Sequence, residues 1–483
     1  MAVEIAFSEL SSKDPFVNQS VIQAAIDSSR DGIVLLPSGE WPLKPSMKGP
    51  PAQEGMKWPI VFHSITLRSG TTLIGQQGCT LVLDSTPPPK STEYAMFRIE
   101  HGANTIRFKD IALNGGVDGP GLETNQHGVV SGTSTDLSFE NVSFCHFRGK
   151  GVFLGGHPTD NEKRIKGVSF INCDNRFSLG QFFTAVGVDD LHVIGCSAID
   201  NGNYAAGGGA EAIILHSVRD AVVHGMTVKN WGSAITISST PGSKNITLSS
   251  CEFNDQYVYS GTKNMMDGLS VIDCSWDFST VSTKKTTNMS FASSKMIFLK
   301  NTILCGGEIF YLSFSGNGIV SEMNFDKKLS EKAAVFMGQP SSSDGLRFSN
   351  SIIVGSLSIR KGCSSVSNLN VYGDIGFREL SDCRITNVVV NSYGDASLSG
   401  CQNLVVTQWR QKYTGNDRAI SMTNCKNIIV VLSDIVMSGK SKLAVRSDKG
   451  QDVLFFNGRW ESPIGVPTTF GNVQLQDIEL VKA

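Results

Sequence analysis

A short phrase of alternating apolar residues, repeated along most of the chain, limits what this sequence can fold into. In residues 245–255 the apolar positions are Ile246, Leu248, Cys251 and Phe253. They alternate, slip by one extra residue, and alternate again. Side chains alternate faces along a strand, so the phrase reads as two short strands meeting at a bend. A helix would need apolar residues three and four apart. The phrase returns as Leu137, Phe139, Val142, Phe144; as Leu191, Val193, Cys196, Ala198; as Leu269, Val271, Cys274, Trp276; as Val453, Phe455, Gly458, Trp460; and as Val473, Leu475, Ile478, Leu480. Recurrence about every 18 to 30 residues predicts an all-β solenoid.

A chain of 483 residues would ordinarily suggest two or three domains, but one solenoid can run its whole length. Forty-nine glycines and 18% charged residues suit many turns between short strands. No run of about 18 apolar residues occurs, so no membrane span is expected. A net charge of −2 gives no argument for nucleic-acid binding. Residues 1–16 lack a basic-then-apolar signal segment, which predicts synthesis in the cytosol. The cysteines show no CxxC or Cys/His spacing, so neither a metal nor another cofactor is expected. Cys173, Cys196, Cys251 and Cys274 fall in the bend slot, and Cys363, Cys383, Cys401 and Cys425 in the turn before the paired strands. Both sets read as stacks of small buried thiols.

Asn18 or Ser20 can cap a short helix through Ser29, with Val21, Ile22, Ala25 and Ile26 on one face. A buried strand Ile33-Val34-Leu35-Leu36 and a Pro37-Ser38-Gly39 turn follow. Such a helix would cover the open end of a solenoid. Together with Ile65-Thr-Leu-Arg-Ser-Gly-Thr-Thr-Leu-Ile-Gly75, this opening resembles that of pectate-lyase-like right-handed parallel β-helices. That superfamily includes polygalacturonases, alginate epimerases and lyases, and phage tailspikes. The resemblance implies a single-stranded right-handed parallel β-helix of about sixteen coils. The N-terminal cap then spans 1–63 and the β-helix 64–483. Its first strands are expected at 96–100, 151–155, 183–187, 212–217 and 234–238, and later at 396–400, 419–423 and 443–447. Asn114, Asn175, Asn254 and Asp277 are expected to be stacked turn residues.

Coil lengths are uneven between 115 and 290 and short and regular over 345–483. Insertions at 115–127, 156–164, 175–181 and 201–210 place the working site there, because insertions on a solenoid line the binding face. The candidate catalytic residues are Glu211, Asp200, Tyr204 and His216. The first three flank or lie in the Gly-rich segment 201–210. His216 should point outward, since Ile213 and Leu215 match the inward Ile235 and Ile237 of the next coil, and histidine suits proton transfer near neutral pH. His157, His127, Asp160 and Arg176, assigned to the long loops, and the outward Phe153 are candidates for substrate binding. Asp189-Asp190 and Arg164-Ile165-Lys166 are similar to polygalacturonase motifs but lack their surroundings. They are read as a turn and as chance. The resemblance implies a polysaccharide hydrolase or lyase of the tailspike kind, a virion component whose partner is a cell-surface glycan and whose usual assembly is a homotrimer. The alternative is a β-helix that binds glycan without cleaving it.

Overall fold

The computed structural model describes residues 2–30, 32–48, 62–84, 93–116, 126–200, 211–238, 242–256, 260–262, 265–278, 286–305, 309–326, 332–338, 345–392, 396–415, 417–438, 440 and 443–482. The chain divides into two compact units, Met1–Asp267 and Gly268–Ala483. Both are right-handed parallel β-helices, as the repeat predicts.

In the first unit each coil has three strands. One coil runs Val152–Gly155, Ile165–Ile171, Asp174–Arg176, and the next Phe183–Val186, Val188–Ile194, Ser197–Ile199. Each strand pairs in parallel with its counterpart one coil on, giving three sheets. The first sheet, which carries Val152–Gly155, also contains Tyr94–Ile99, Gln126–Ser131, Glu211–His216 and Ser233–Ser238. All of these but Gln126–Ser131, for which no strand was expected, lie within a residue or two of the positions the repeat predicts. The inward register holds as well: Ile213, Leu215, Ile235 and Ile237 are all buried.

The core is laddered because equivalent positions stack. Phe108, Phe139 and Phe170 occupy one register position in the second sheet, with ring centroids 5.1 and 4.8 Å apart and nearly parallel planes. Burying each such ring contributes about 1.5–3 kcal/mol. Bends are made by residues in the left-handed region, among them Asp110 and Asn141 at φ 55° and 53°. The Asn141 amide donates to the Asp110 carboxylate at 2.8 Å. The predicted amide ladder therefore exists, but at these bends. Asn114 and Asn175 instead belong to the third sheet, where Asn175 is buried in mid-strand.

The cap is a helix, Pro15–Ser28, starting earlier than expected. Asp14 caps it, accepting from Phe16 and Val17, with Pro15 at its first position. Asn18 is no cap. It is buried, donates to Ser11 O and Pro42 O at 2.6 and 2.9 Å, and so ties the helix to the chain on either side. Gln23 closes the sheet edge, because its amide accepts from Thr66 N (2.9 Å) and donates to Thr66 O (3.2 Å).

In the second unit, from Leu346 onward, the second and third strands fuse into one long bent strand. Cys363–Tyr372, Arg384–Ser392, Gln402–Tyr413, Lys426–Met437 and Gln451–Ser462 are examples. They bend at the left-handed residues Asn368, Asn387, Gln408, Leu432 and Asn457, and the last three strands carry a second such residue at Asn403, Asn427 or Asp452. Among the described residues the first sheet has eight strands in the first unit and nine in the second, close to the sixteen coils expected. The expected cysteine stacks form: all eleven thiols are free, and all but Cys145 are buried.

Candidate functional site

The outward positions of the first sheet in the first unit are Arg98, Val130, Phe153, Thr184, Ile214 and Thr236, one per coil in register. A strand face turned away from the core is ordinarily solvated. Here Val130, Phe153, Thr184 and Thr236 are 7, 8, 5 and 2% exposed, so the face is recessed. Val130 and Phe153 pack with Ala95, and Val186 lies against them. Phe153 points outward as the register predicts, but it is part of this cluster and no open platform.

Polar groups surround the cluster. His127 was expected in a long loop, yet it lies in the strand Gln126–Ser131 and is 1% exposed. Residues 115–127 read as one insertion because only the last two belong to the strand. The His127 ring centroid is 6.2 Å from that of Phe153. Its Nδ1 accepts from Lys150 N at 3.0 Å, which leaves the proton on Nε2. That Nε2 is 3.8 Å from the Glu93 carboxylate, too far for a hydrogen bond, and has no other partner. Lys150 Nζ lies 5.2 Å from the centroid of the Phe153 ring. Arg98 Nη1 and Thr184 Oγ1 are also buried without a hydrogen-bond partner. Buried polar atoms are nearly always paired, so several orphans on one face mark a place where a ligand or ordered water belongs.

Burial sets the protonation states. It pushes the His127 imidazole down against the pull of Glu93, so the ring is neutral. It also lowers the Lys150 ammonium. His63, in register with His127 through Ala95, is lowered to about 4 by burial and then by the Arg98 guanidinium. Among the described residues no cluster of three or more His, Cys, Asp or Glu side chains could hold a metal ion.

The other predicted residues are spread over neighbouring coils. Glu211 opens a first-sheet strand and accepts from Thr236 Oγ1 at 3.3 Å. His216 ends that strand, half-buried between Val186 and Ser238. Asp200 is a left-handed turn residue after the third sheet, and its carboxylate accepts from Asn230 Nδ2 at 2.6 Å. Tyr204 lies outside the described residues. His157 and Asp160 sit in the loop after Val152–Gly155. There His157 Nδ1 accepts from Asp160 N at 2.9 Å, and Asp160 caps the short helix Asn161–Lys163. That capping bond, from Glu162 N, holds the Asp160 carboxyl below its usual range. Arg176 is at the end of a third-sheet strand, not in a loop, with Nε 3.3 Å from the Asp174 carboxylate.

The borderline motifs are structural. Arg164 is fully buried, pairs with Asp189 at 2.8 Å, and donates to Val188 O and Ser217 O at 3.1 and 2.6 Å. Asp190 lies within the strand Val188–Ile194, not in a separate turn, and contacts His192 Nε2 at 2.9 Å. Sequence reasoning missed Arg98, Lys150 and Thr184. Arg98 and Thr184 share the register that placed Phe153 outward, which is the signal that could have found them.

No family model and no curated protein matches this sequence. Several solved structures do. An N-terminal fragment of bacteriophage phi29 gene product 12 is 10% identical with a TM-score of 0.48, covering 95% of this chain and 90% of that one. PfbA, a surface adhesin of Streptococcus pneumoniae, is 11% identical with a TM-score of 0.40 over 93% of both chains. The tailspike of E. coli bacteriophage HK620, solved in complex with a pentasaccharide, is 15% identical with a TM-score of 0.37, covering 90% of this chain and 76% of that one. At these identities the likeness concerns the fold alone, and the fold is the right-handed parallel β-helix.

Proposed function

We propose that this chain is a glycan-recognising and glycan-degrading β-helix protein of the tailspike kind, and that the recessed outer face of the first sheet in the first unit is its site. The observation that carries the reading is the set of orphaned buried polar atoms around the cluster of Ala95, Val130 and Phe153. A sugar ring offers apolar C–H faces and many hydroxyls, and such a face meets both needs. Arg98 and Lys150 beside the Glu93 carboxylate, with the neutral His127 as a hydrogen-bond donor, favour an acidic glycan. Neutral His127 would take up a proton, and Arg98 would offset the charge of a sugar carboxylate. That chemistry fits elimination better than two-carboxylate hydrolysis. Glu211 and His216, on a strand of the same sheet, remain candidates beside this face, and Asp200 and Tyr204 remain candidates by sequence alone. A virion location and a homotrimer belong to the same proposal.

The second reading is binding without cleavage. It is favoured by the engagement of the Asp200 and Glu211 carboxylates with Asn230 and Thr236. A panel of acidic and neutral polysaccharides incubated with the full chain separates the two. Shortened glycan with new ultraviolet absorbance supports elimination, and retained but intact glycan supports the second reading. Thr184→Val should fold at least as stably as the parent, since it replaces an unpaired buried hydroxyl with an apolar group of the same shape. It should weaken retention of the glycan about tenfold, corresponding to about 1.4 kcal/mol. If no glycan is retained or shortened by the parent, the glycan function itself is wrong.

A further inference from the structure

A second concave surface lies in the first unit, beside the helical cap and away from the first sheet. It is a cleft of about 510 Å³ lined by Lys13, Pro42, Leu83, Asp84, Asn114 and His146, among others. That volume lies in the range of small-molecule sites. One wall is the turn that follows the third sheet. In successive coils this turn places His146, Phe177 and Asp200 at one position, each backbone N–H donating to the carbonyl of Arg176, Ile199 or Lys229 in the next coil. Asn230 continues the column, and all four residues are left-handed, at φ 55°, 55°, 57° and 53°.

Asp200 and Asn230 are residue types that tolerate this conformation, and they support each other through their 2.6 Å side-chain bond. Histidine visits the region less readily, and for a residue as bulky as phenylalanine it is a true outlier. Yet Phe177 stands there, 51% exposed, with its ring stacked on that of His146 at 5.7 Å and 16°. The fold gains little from an exposed ring on a strained backbone, so the turn gives no structural reason for aromatics over Asn or Asp. What sets Phe177 apart is that its exposed ring is stacked on a second ring that lines the cleft. Arg176 immediately precedes Phe177 and is oriented by Asp174. On the other side of His146, Asp84, Asn114 and Lys13 supply hydrogen-bonding groups, with Lys44 3.6 Å from Asp84.

We infer that the His146–Phe177 pair and the adjoining cleft form an accessory saccharide subsite. One pyranose unit would stack a C–H face on the aromatic pair and direct its hydroxyls to Asp84, Asn114 and Lys13. The inference rests on the glycan reading above and adds a contact remote from the first-sheet face, so that a long chain is held at two places and gains effective concentration.

The test uses the full chain and whichever polysaccharide of the panel the parent retains, with affinity measured by calorimetry. Phe177→Asn places a tolerated residue in the left-handed turn, so its melting temperature should equal or exceed that of the parent. Its affinity should fall at least tenfold. Phe177→Trp should keep affinity within about threefold of the parent. Unchanged affinity in Phe177→Asn overturns the subsite while leaving the first-sheet site standing. Loss in both variants alike overturns the stacking role. If the parent retains no polysaccharide, both proposals fall together.

Discussion

His63 shows how one buried side chain sets an acid limit on the fold. Its Nε2 is 2.8 Å from Thr66 Oγ1, its Nδ1 has no partner, and its pKa is lowered from 6.5 to about 4. The folded chain therefore favours the neutral ring, while the unfolded chain takes up a proton from about pH 6.5 downward. The associated stability is fully present above the unfolded pKa and is lost as pH falls from about 6.5 through 4, on the order of 3 kcal/mol in all. His127 adds to this in the same direction. Chemical denaturation at pH 7.5 and pH 4.5 should show the loss, and His63→Gln should make the pH dependence shallower. An equal slope in the variant would assign the acid sensitivity to other groups. Neither histidine's burial could be read from its neighbours in sequence. Ala95 and the strand around it come from another coil, and that register became visible only with the coordinates.

At the scale of the element, the bent strand of the second unit depends on the left-handed residue at its bend. Asn368 donates to Asn350 at 2.8 Å and Asn387 to Asn368 at 3.0 Å, so amides stack where the backbone needs residues that accept positive φ. Leu432 breaks this logic, at φ 58° and 47% exposed between Gln408 and Asn457. Leu432→Asn should raise stability by about 1 kcal/mol, the cost of holding a branched L-residue in that region. Thermal unfolding checks it, and a lower melting temperature would mean that the leucine side chain contributes more than its exposure suggests. The elements themselves were largely legible in the sequence. Alternation marked the strands, and the one-residue slip marked the bend at Ser250 (φ 51°) in the phrase ending at Phe253. The same alternation puts Asn175 in the inward slot after Val168, Phe170 and Cys173, but its polarity disguised it. Asn175 looked like a turn residue because Asn is common in turns, but its place opposite Phe144 and Ala198 in the third sheet buries it. The proposed site lies in coils that the uneven spacing also singles out, whereas Arg98, Lys150 and Thr184 are joined only by stacking.

For the whole molecule, two compact units imply that unfolding need not be a single event. Arg164 lies entirely within the first unit and ties the loop at Pro158 to Val188 and Ser217. Arg164→Met would leave Asp189, 24% exposed, without its partner and should cost about 3 kcal/mol. In a calorimetric scan that loss should shift one transition and leave another in place. A uniform shift of the whole trace would show that the units melt as one. The in-register ladder of Gln402, Lys426 and Gln451 carries a further consequence. A single deleted residue would turn every later side chain of its strand to the opposite face, but removal of residues 402–425 would bring Lys426 to the place of Gln402 with each face unchanged. A lineage built on this plan can lengthen or shorten by entire windings and keep its interior intact, while its loops diverge. Heritable change in such a chain comes in steps the size of one turn.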